Sequence, residues 1–337
     1  MRYSVRLVRS GLRLRHKRAH ALLARDFVAW LRVEFLGAAA GAGVLTALRT
    51  PRTVDDLACE LAVADAGLLV SLLEVGRSVG ELSRSGDRWR VTGLRSRAMV
   101  DPEVDGLAAL PEEATEYGSD VYRRLRQRLR GAPPGDYLAD YAELVARTSR
   151  VAEPILAPFV AGVSGDCRPR RVLDVGCGTG IYLSHVATTA PGATGAGVDM
   201  SDEVVDLARR NLAGWHLDRR FSVEVADIRS LPPHLSGPWD LVLALQNVYY
   251  FGPGDRVDAL ARLRALAPGG TVALATAVAG TGDPAAAHLD VVLRSTLGSV
   301  GLPTPAEMHE ALTEAGFATV EERRLAPWQP LRGFVAR

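Results

Sequence analysis

At 337 residues the chain is too long for one ordinary domain and fits two. Apolar residues make up 47% of it, enough for real cores, and a net charge of +1 points neither to nucleic acid nor to an acidic partner. No apolar run approaches the ~20 residues of a membrane helix; three cysteines without paired spacing (Cys59, Cys167, Cys177) argue against a disulfide framework or a zinc site and fit a reducing cytoplasm, and Lys17, the only lysine, disfavours Schiff-base chemistry.

Residues 1–20 are basic, with Arg2, Arg6, Arg9, Arg13, Arg15, Lys17 and Arg18, and they lack the apolar stretch of a secretory signal. They read as a solvated face leading into a first helix, where Leu22, Leu23, Phe27, Trp30 and Leu31 recur at helical spacing. Thr53, followed by Asp55 and Asp56, is a good helix N-cap. A further helix is predicted over residues 66–79, and residues 80–92 read as a hairpin turning at Ser85, Gly86 and Asp87. Helices followed by a hairpin are the outline of a winged helix. Residues 101–162 read as polar and helical, rich in tyrosine and arginine, and are interrupted by the breaker Gly131–Gly135.

From Arg170 the pattern changes to alternating strands and helices. Arg171–Val175 is a short apolar run followed at once by Gly176, Gly178 and Gly180, and then by a helix that stops at Pro191 and Gly192. Strand, glycine turn and helix form a nucleotide-binding geometry, because glycine lets the backbone pass close to a ligand. A second strand, residues 194–198, ends in Asp199, about 20 residues past the glycines, where a ribose-binding carboxylate is expected. The spacing Gly176-x-Gly178-x-Gly180 departs from the Gly-x-Gly-x-x-Gly of nicotinamide enzymes.

The block Val172–Gly180, with Asp174 at the strand end, resembles the first motif of class I S-adenosylmethionine-dependent methyltransferases. Gly197–Ser201, Val223–Ile228, Trp239–Asn247 and Leu266–Thr271 resemble the next four motifs in order, so the resemblance runs from about Arg170 to the C-terminus. It implies an α/β, Rossmann-like, seven-stranded catalytic domain with S-adenosyl-L-methionine as cofactor. It also implies cofactor-binding residues at Asp174, Gly176, Gly178, Gly180, Asp199, Met200, Asp227, Ile228 and Gln246. The donor is a sulfonium cation with an amine, a ribose and an adenine, and no phosphates. Three carboxylates, at Asp174, Asp199 and Asp227, suit those three groups in turn.

Residues 44–92 resemble the winged-helix dimerisation module that precedes the catalytic domain of many small-molecule methyltransferases. The expected layout is a mainly α-helical module over residues 1–100, a helical linker and substrate lid over 101–165, and the catalytic domain over 166–337. Polar candidates on the acceptor side are Glu113, Glu116, Tyr117, Tyr122, Arg123, Asn247, Tyr249 and Tyr250. His288, beyond the predicted strand at residues 273–277, is the base that the resemblance suggests; His216 and His309 have weaker claims, and no metal is expected. The catalytic set is thus His288, Tyr249 and Arg123.

These features point to a cytoplasmic, homodimeric enzyme of specialised metabolism that methylates oxygen or carbon of a small-molecule acceptor. One alternative is carbon methylation of an enolisable 2-oxo acid held bidentately by Arg123. The alternative from another class is a donor-binding regulator that sets its winged helix on DNA. Against it, residues 67–76 are apolar, with no basic side chain before Arg77 to read a groove.

Overall fold

The computed structural model describes residues 15–101, 106–327 and 330–337. Arg2, Arg6, Arg9 and Arg13 of the basic stretch lie outside these. The chain divides into two compact units, Met1–Glu116 and Tyr117–Arg337, so the expected segment 101–165 is shared between them. Among the described residues no helix is long and apolar enough to cross a membrane.

The first unit holds helices α1 (Lys17–Gly41), α2 (Val44–Ala47), α3 (Val54–Glu60) and α4 (Ala66–Ser78), strands β1 (Leu82–Ser85) and β2 (Arg88–Val91), and helices α5 (Leu94–Met99) and α6 (Gly106–Glu113). The predicted cap is present as a capping box. Asp56 N donates to Thr53 Oγ1 (3.1 Å), and Thr53 N donates to Asp56 Oδ2 (3.0 Å). The hairpin is antiparallel, with Leu82 opposite Val91, and it buries Trp89 against Phe35, Leu45, Leu57 and Leu73. Gly37 lets α1 and α6 approach closely, since a Cβ there would stand 2.7 Å from Pro111 O. Glu81 is buried between Arg32 (3.5 Å) and Arg95 (3.4 Å), and Ser96 N at the start of α5 donates to it (3.1 Å).

Only the C-terminal part of α1 packs into this core. Leu22, Leu23, Phe27, Trp30 and Val33 stay exposed among the described residues, and at helical spacing they share one side of the helix.

A π-helical turn, Ala114–Gly118, spans the boundary, and the second unit continues with helices α7 (Ser119–Arg128), α8 (Tyr137–Asp140), α9 (Ala142–Ser149) and α10 (Glu153–Cys167). The breaker at residues 131–135 separates α7 from α8. The alternating part follows: β3 (Arg171–Val175), α11 (Ile181–Thr189), β4 (Thr194–Asp199), α12 (Asp202–Gly214), β5 (Phe221–Val225), β6 (Leu241–Leu245), α13 (Pro253–Leu266), β7 (Thr271–Ala277), α14 (Pro284–Arg294), α15 (Pro305–Glu314), β8 (Val320–Arg324) and β9 (Leu331–Ala336). The seven strands are ordered β5-β4-β3-β6-β7-β9-β8. β3 to β7 run parallel, and β9 is antiparallel to both of its neighbours. Every residue of β6 and β7 is buried, which is why these runs read as continuously apolar rather than alternating. One core, with Leu156, Val160, Leu183 and Phe221, fills one face of the sheet; another, with Leu173, Val242, Leu274 and Leu312, fills the other.

Candidate active site

The chain winds from β3 to β4 and β5 on one side of the sheet, then crosses to β6 on the other side of β3. That reversal opens a crevice beyond the carboxyl ends of β3 and β6, the place where such sheets bind ligands. The glycine turn lies there. Gly176 and Gly178 have φ of 66° and 52°, in the left-handed region where side chains are strained. A Cβ on Gly176 would stand 2.7 Å from Asn247 Nδ2, which instead donates to Val175 O at 2.5 Å and ties the end of β6 to the end of β3. A Cβ on Gly178 would meet nothing within 4 Å, so bare backbone faces open space and forms a cradle.

Asp174, next to the last residue of β3, is 1% exposed, and neither of its carboxyl oxygens has a hydrogen-bond partner among the described residues. Burial, with the neighbouring Asp199 carboxylate, pushes its pKa up to about 8. An unpartnered carboxyl inside a protein is costly, and a cationic group brought beside it would favour its ionised form. Asp199, at the end of β4, is already engaged: Gly178 N donates to Oδ2 (3.1 Å) and Ser201 N to Oδ1 (3.3 Å). Burial raises its carboxyl, against the opposing pull of those backbone donors. Cys177 fills the space beside Gly197, whose missing Cβ would lie 2.8 Å from Cys177 Sγ, and burial raises its thiol well above the ordinary value. A small residue is needed there for packing.

Asp227 is placed differently from the strand-terminal acid of the sequence reading. β5 stops at Val225, and Asp227 caps a short 3-10 turn, taking hydrogen bonds from Arg229 N (2.8 Å) and Arg229 Nε (2.8 Å to Oδ2). The Arg229 guanidinium holds its carboxyl below the usual range. Ile228 beside it is buried, and Met200 after β4 is exposed. The Gln246 side chain bridges strand ends, Oε1 accepting from Ala277 N (2.8 Å), with the residue itself at φ 59°.

Beyond β6, Tyr249 is buried in an apolar cluster with Ala277, Ala286 and Leu293, and it meets Tyr250 edge-on. That cluster seats α14 over the carboxyl ends of β6 and β7. His288, on α14, has Nδ1 3.0 Å from Tyr122 Oη, and the two rings stack at 5.6 Å. Arg123 lies on the exposed side of α7, with Nη2 3.8 Å from Asp120. Tyr117 packs on Tyr137 and Tyr141. His309 pairs with Glu322 (2.8 Å) on β8, apart from His288, and among the described residues no group of three or more His, Cys, Asp or Glu is placed to hold a metal.

Three features had no marker in the sequence pattern. Arg256 on α13 is buried and holds the loop after β6, donating from Nε to Val248 O (3.2 Å) and from Nη2 to Phe251 O (3.1 Å). Tyr182, in the first turn of α11, lies close enough to Asp174 and Glu153 for both to raise its phenol, in addition to the larger effect of burial. Glu153, at the start of α10, binds His185 Nε2 (3.0 Å) and Arg150 Nε (3.4 Å).

A profile described as a methyltransferase domain matches residues 172–270. The malonyl-[acyl-carrier protein] O-methyltransferase of Geobacter sulfurreducens is 36% identical over 193 residues, covering 54% of this chain and 67% of that protein. The protein of the same description from Legionella pneumophila is 35% identical over 82 residues, 24% of this chain and only 28% of its own length. Among solved structures, mitomycin 7-O-methyltransferase MmcR superposes with a TM-score of 0.77 at 19% identity, covering 95% of this chain and 97% of its own, a likeness of fold.

Proposed function

The chain belongs to the class I S-adenosylmethionine-dependent methyltransferases, and from that premise we propose that it methylates an oxygen or an activated carbon of a small-molecule acceptor in specialised metabolism. The observation that carries the donor site is Asp174: a buried carboxyl with no partner, at a strand end beside a bare glycine cradle. S-adenosylmethionine, when bound, supplies an electrophilic methyl group on a sulfonium. The residues fit it. Asp174 takes the ammonium, Gly178 leaves its backbone open to the ligand, and Asp199, fixed by two backbone N–H groups, accepts from the ribose hydroxyls. Asp227 reaches the adenine amino group with the carboxylate that Arg229 orients.

Displacement at carbon needs alignment more than covalent help from the protein. It also needs a sink for the acceptor's proton. His288 provides that sink. In the tautomer whose Nδ1–H donates to Tyr122 Oη, the Nε2 lone pair would take the proton, and ring stacking on Tyr122 holds the imidazole plane. The first unit serves as the dimerisation module, with the exposed apolar stripe of α1 seated on a second copy of the chain; contiguous apolar surface of this kind marks an interface.

The deciding experiment presents the protein with methyl-labelled S-adenosylmethionine and panels of phenols, hydroxy acids and 2-oxo acids. Label recovered on one acceptor class names the substrate group. Absence of S-adenosylhomocysteine binding, together with no transfer to any acceptor, overturns the proposal.

A further inference from the structure

The chain leaves β6 through a turn whose backbone is not held by packing alone. Gln246 takes φ 59°, a left-handed conformation that side chains rarely adopt and that persists only where the surroundings hold it. Val248–Tyr250 then form a 3-10 turn, and the bond that follows it, from Phe251 N to Val248 O, is stretched to 3.4 Å. Beside the turn a cavity opens, walled by Val175, Ile228, Ala244, Phe251 and Leu260, so close-packed side chains do not fix the backbone on that side.

Arg256, on α13, stands in the wall of that cavity. It is 4% exposed, and its guanidinium donates to backbone carbonyls rather than to a carboxylate: Nε to Val248 O (3.2 Å) and Nη2 to Phe251 O (3.1 Å). A charge placed there is costly, and an apolar side chain would fill the same wall at less cost. What arginine adds is a planar fork that spans the two ends of the turn. The turn in question meets both sides of the crevice. Just before it, Asn247 Nδ2 donates to Val175 O, and a Cβ on the adjoining Gly176 would stand 2.7 Å from that nitrogen. In its middle, Tyr249 is clustered with Ala286 and Leu293 of α14, and its carbonyl accepts from Ser299 Oγ (3.4 Å).

Resting on the donor site proposed above, we infer that Arg256 is a positioning residue of the methyl-transfer site: by clamping Val248 and Phe251 it holds Asn247 against the glycine turn, and so sets donor affinity through the backbone. Without the fork, the strained Gln246 and the long Phe251–Val248 bond are free to relax, and Asn247 moves off the end of β3 with them.

The test needs no acceptor. The full chain and its Arg256→Gln variant are titrated with S-adenosylhomocysteine at a temperature where both are folded, and amide hydrogen exchange is followed in the ligand-free proteins. Arg256→Gln is expected to weaken binding about tenfold, and residues 246–251 to exchange at least about tenfold faster while β4 and β5 keep their wild-type rates. Arg256→Lys keeps the charge but not the fork, and should recover no more than part of the affinity. A side chain that served stability alone would lower the melting temperature and leave the affinity of the folded protein where it was. Unchanged affinity in Arg256→Gln, exchange that quickens evenly across the sheet or not at all, or a lysine variant as tight as wild type overturns the inference. Should Arg256→Gln not fold, Arg256→Lys is judged by the same two measurements. If wild type fails to bind S-adenosylhomocysteine, the donor reading falls; if wild type binds and the variants bind equally well, only this inference falls.

Discussion

Replacing Asp174 by Asn preserves the side chain's shape and removes its titration. Burial holds this carboxyl near pKa 8 in the folded, donor-free protein, against 3.8 as the ordinary value. In the unfolded chain it ionises from pH ~4 upward, so between about pH 4 and 8 folding takes up a proton. Stability of the donor-free protein therefore falls as pH rises through that window and levels off above it. Each pH unit costs about 1.4 kcal/mol, which by pH 7 amounts to about 4 kcal/mol. Asp174→Asn escapes this cost. It should match wild type below pH 4 and exceed it by a few kcal/mol, up to about 4, at pH 7, read from urea denaturation at a series of pH values. The donor reverses the ranking. Its ammonium gives the ionised carboxylate a partner, so below pH 8 binding expels the Asp174 proton, visible as a buffer-dependent calorimetric enthalpy. The variant should lose that proton release and bind S-adenosylhomocysteine at least about tenfold more weakly. Parallel stability–pH curves for the two proteins, with unchanged affinity, would refute the reasoning.

Asp199→Ala should weaken S-adenosylhomocysteine by about 1–3 kcal/mol in calorimetry, the effect of losing a charged hydrogen-bond acceptor. His288→Ala should slow methyl transfer about 100-fold with donor affinity intact, and Tyr122→Phe should slow it less, since stacking survives while the Nδ1 partner is lost; kcat and donor Kd measured side by side separate these effects. Glu81→Ala leaves the buried Ser96 N without its acceptor in the first unit, while Arg32 and Arg95 keep access to solvent, and should cost about 1–3 kcal/mol in denaturant unfolding. Phe27→Glu with Trp30→Glu should convert a dimer to a monomer in light scattering; a wild type that is already monomeric contradicts the proposed use of that stripe.

The catalytic sheet was legible because its signals are local. Buried parallel strands read as unbroken apolar runs, glycines mark the turn, and Arg171–Val175 was placed to the residue. The cap at Thr53 and the hairpin around Gly86 were legible for the same reason: a short polar side chain or a glycine at a fixed offset has few other uses. The third acid was read less well. Position in a motif suggested a strand-terminal carboxylate at Asp227, yet β5 ends at Val225 and Asp227 caps a short turn through the backbone N–H of Arg229. Side chains that act through distant partners left no trace in the sequence pattern. Glu81 is defined by Arg32 and Ser96, Arg256 by two carbonyls of a loop, and Glu153 by His185 across the glycine turn; only packing brings such pairs together.

The three acids around the crevice are alike in sequence and are held in three different electrostatic states. Asp227 is paired with Arg229, Asp199 is raised by burial and braced by backbone N–H groups, and Asp174 is buried with no hydrogen-bond partner among the described residues and is pushed up to about 8. Two of them are thus held by donors within the chain, and in the proposed site they would serve as acceptors whose ordering adds little to the cost of binding. The third is the one group whose state must change. Since a buried carboxylate without a counter-charge is the costlier form, burial favours the neutral Asp174 carboxyl, and in the proposed site it would acquire its negative charge with the ammonium of the donor. With the donor placed as proposed, its affinity should therefore depend on pH through Asp174, the acid whose burial shifts it furthest towards neutral pH.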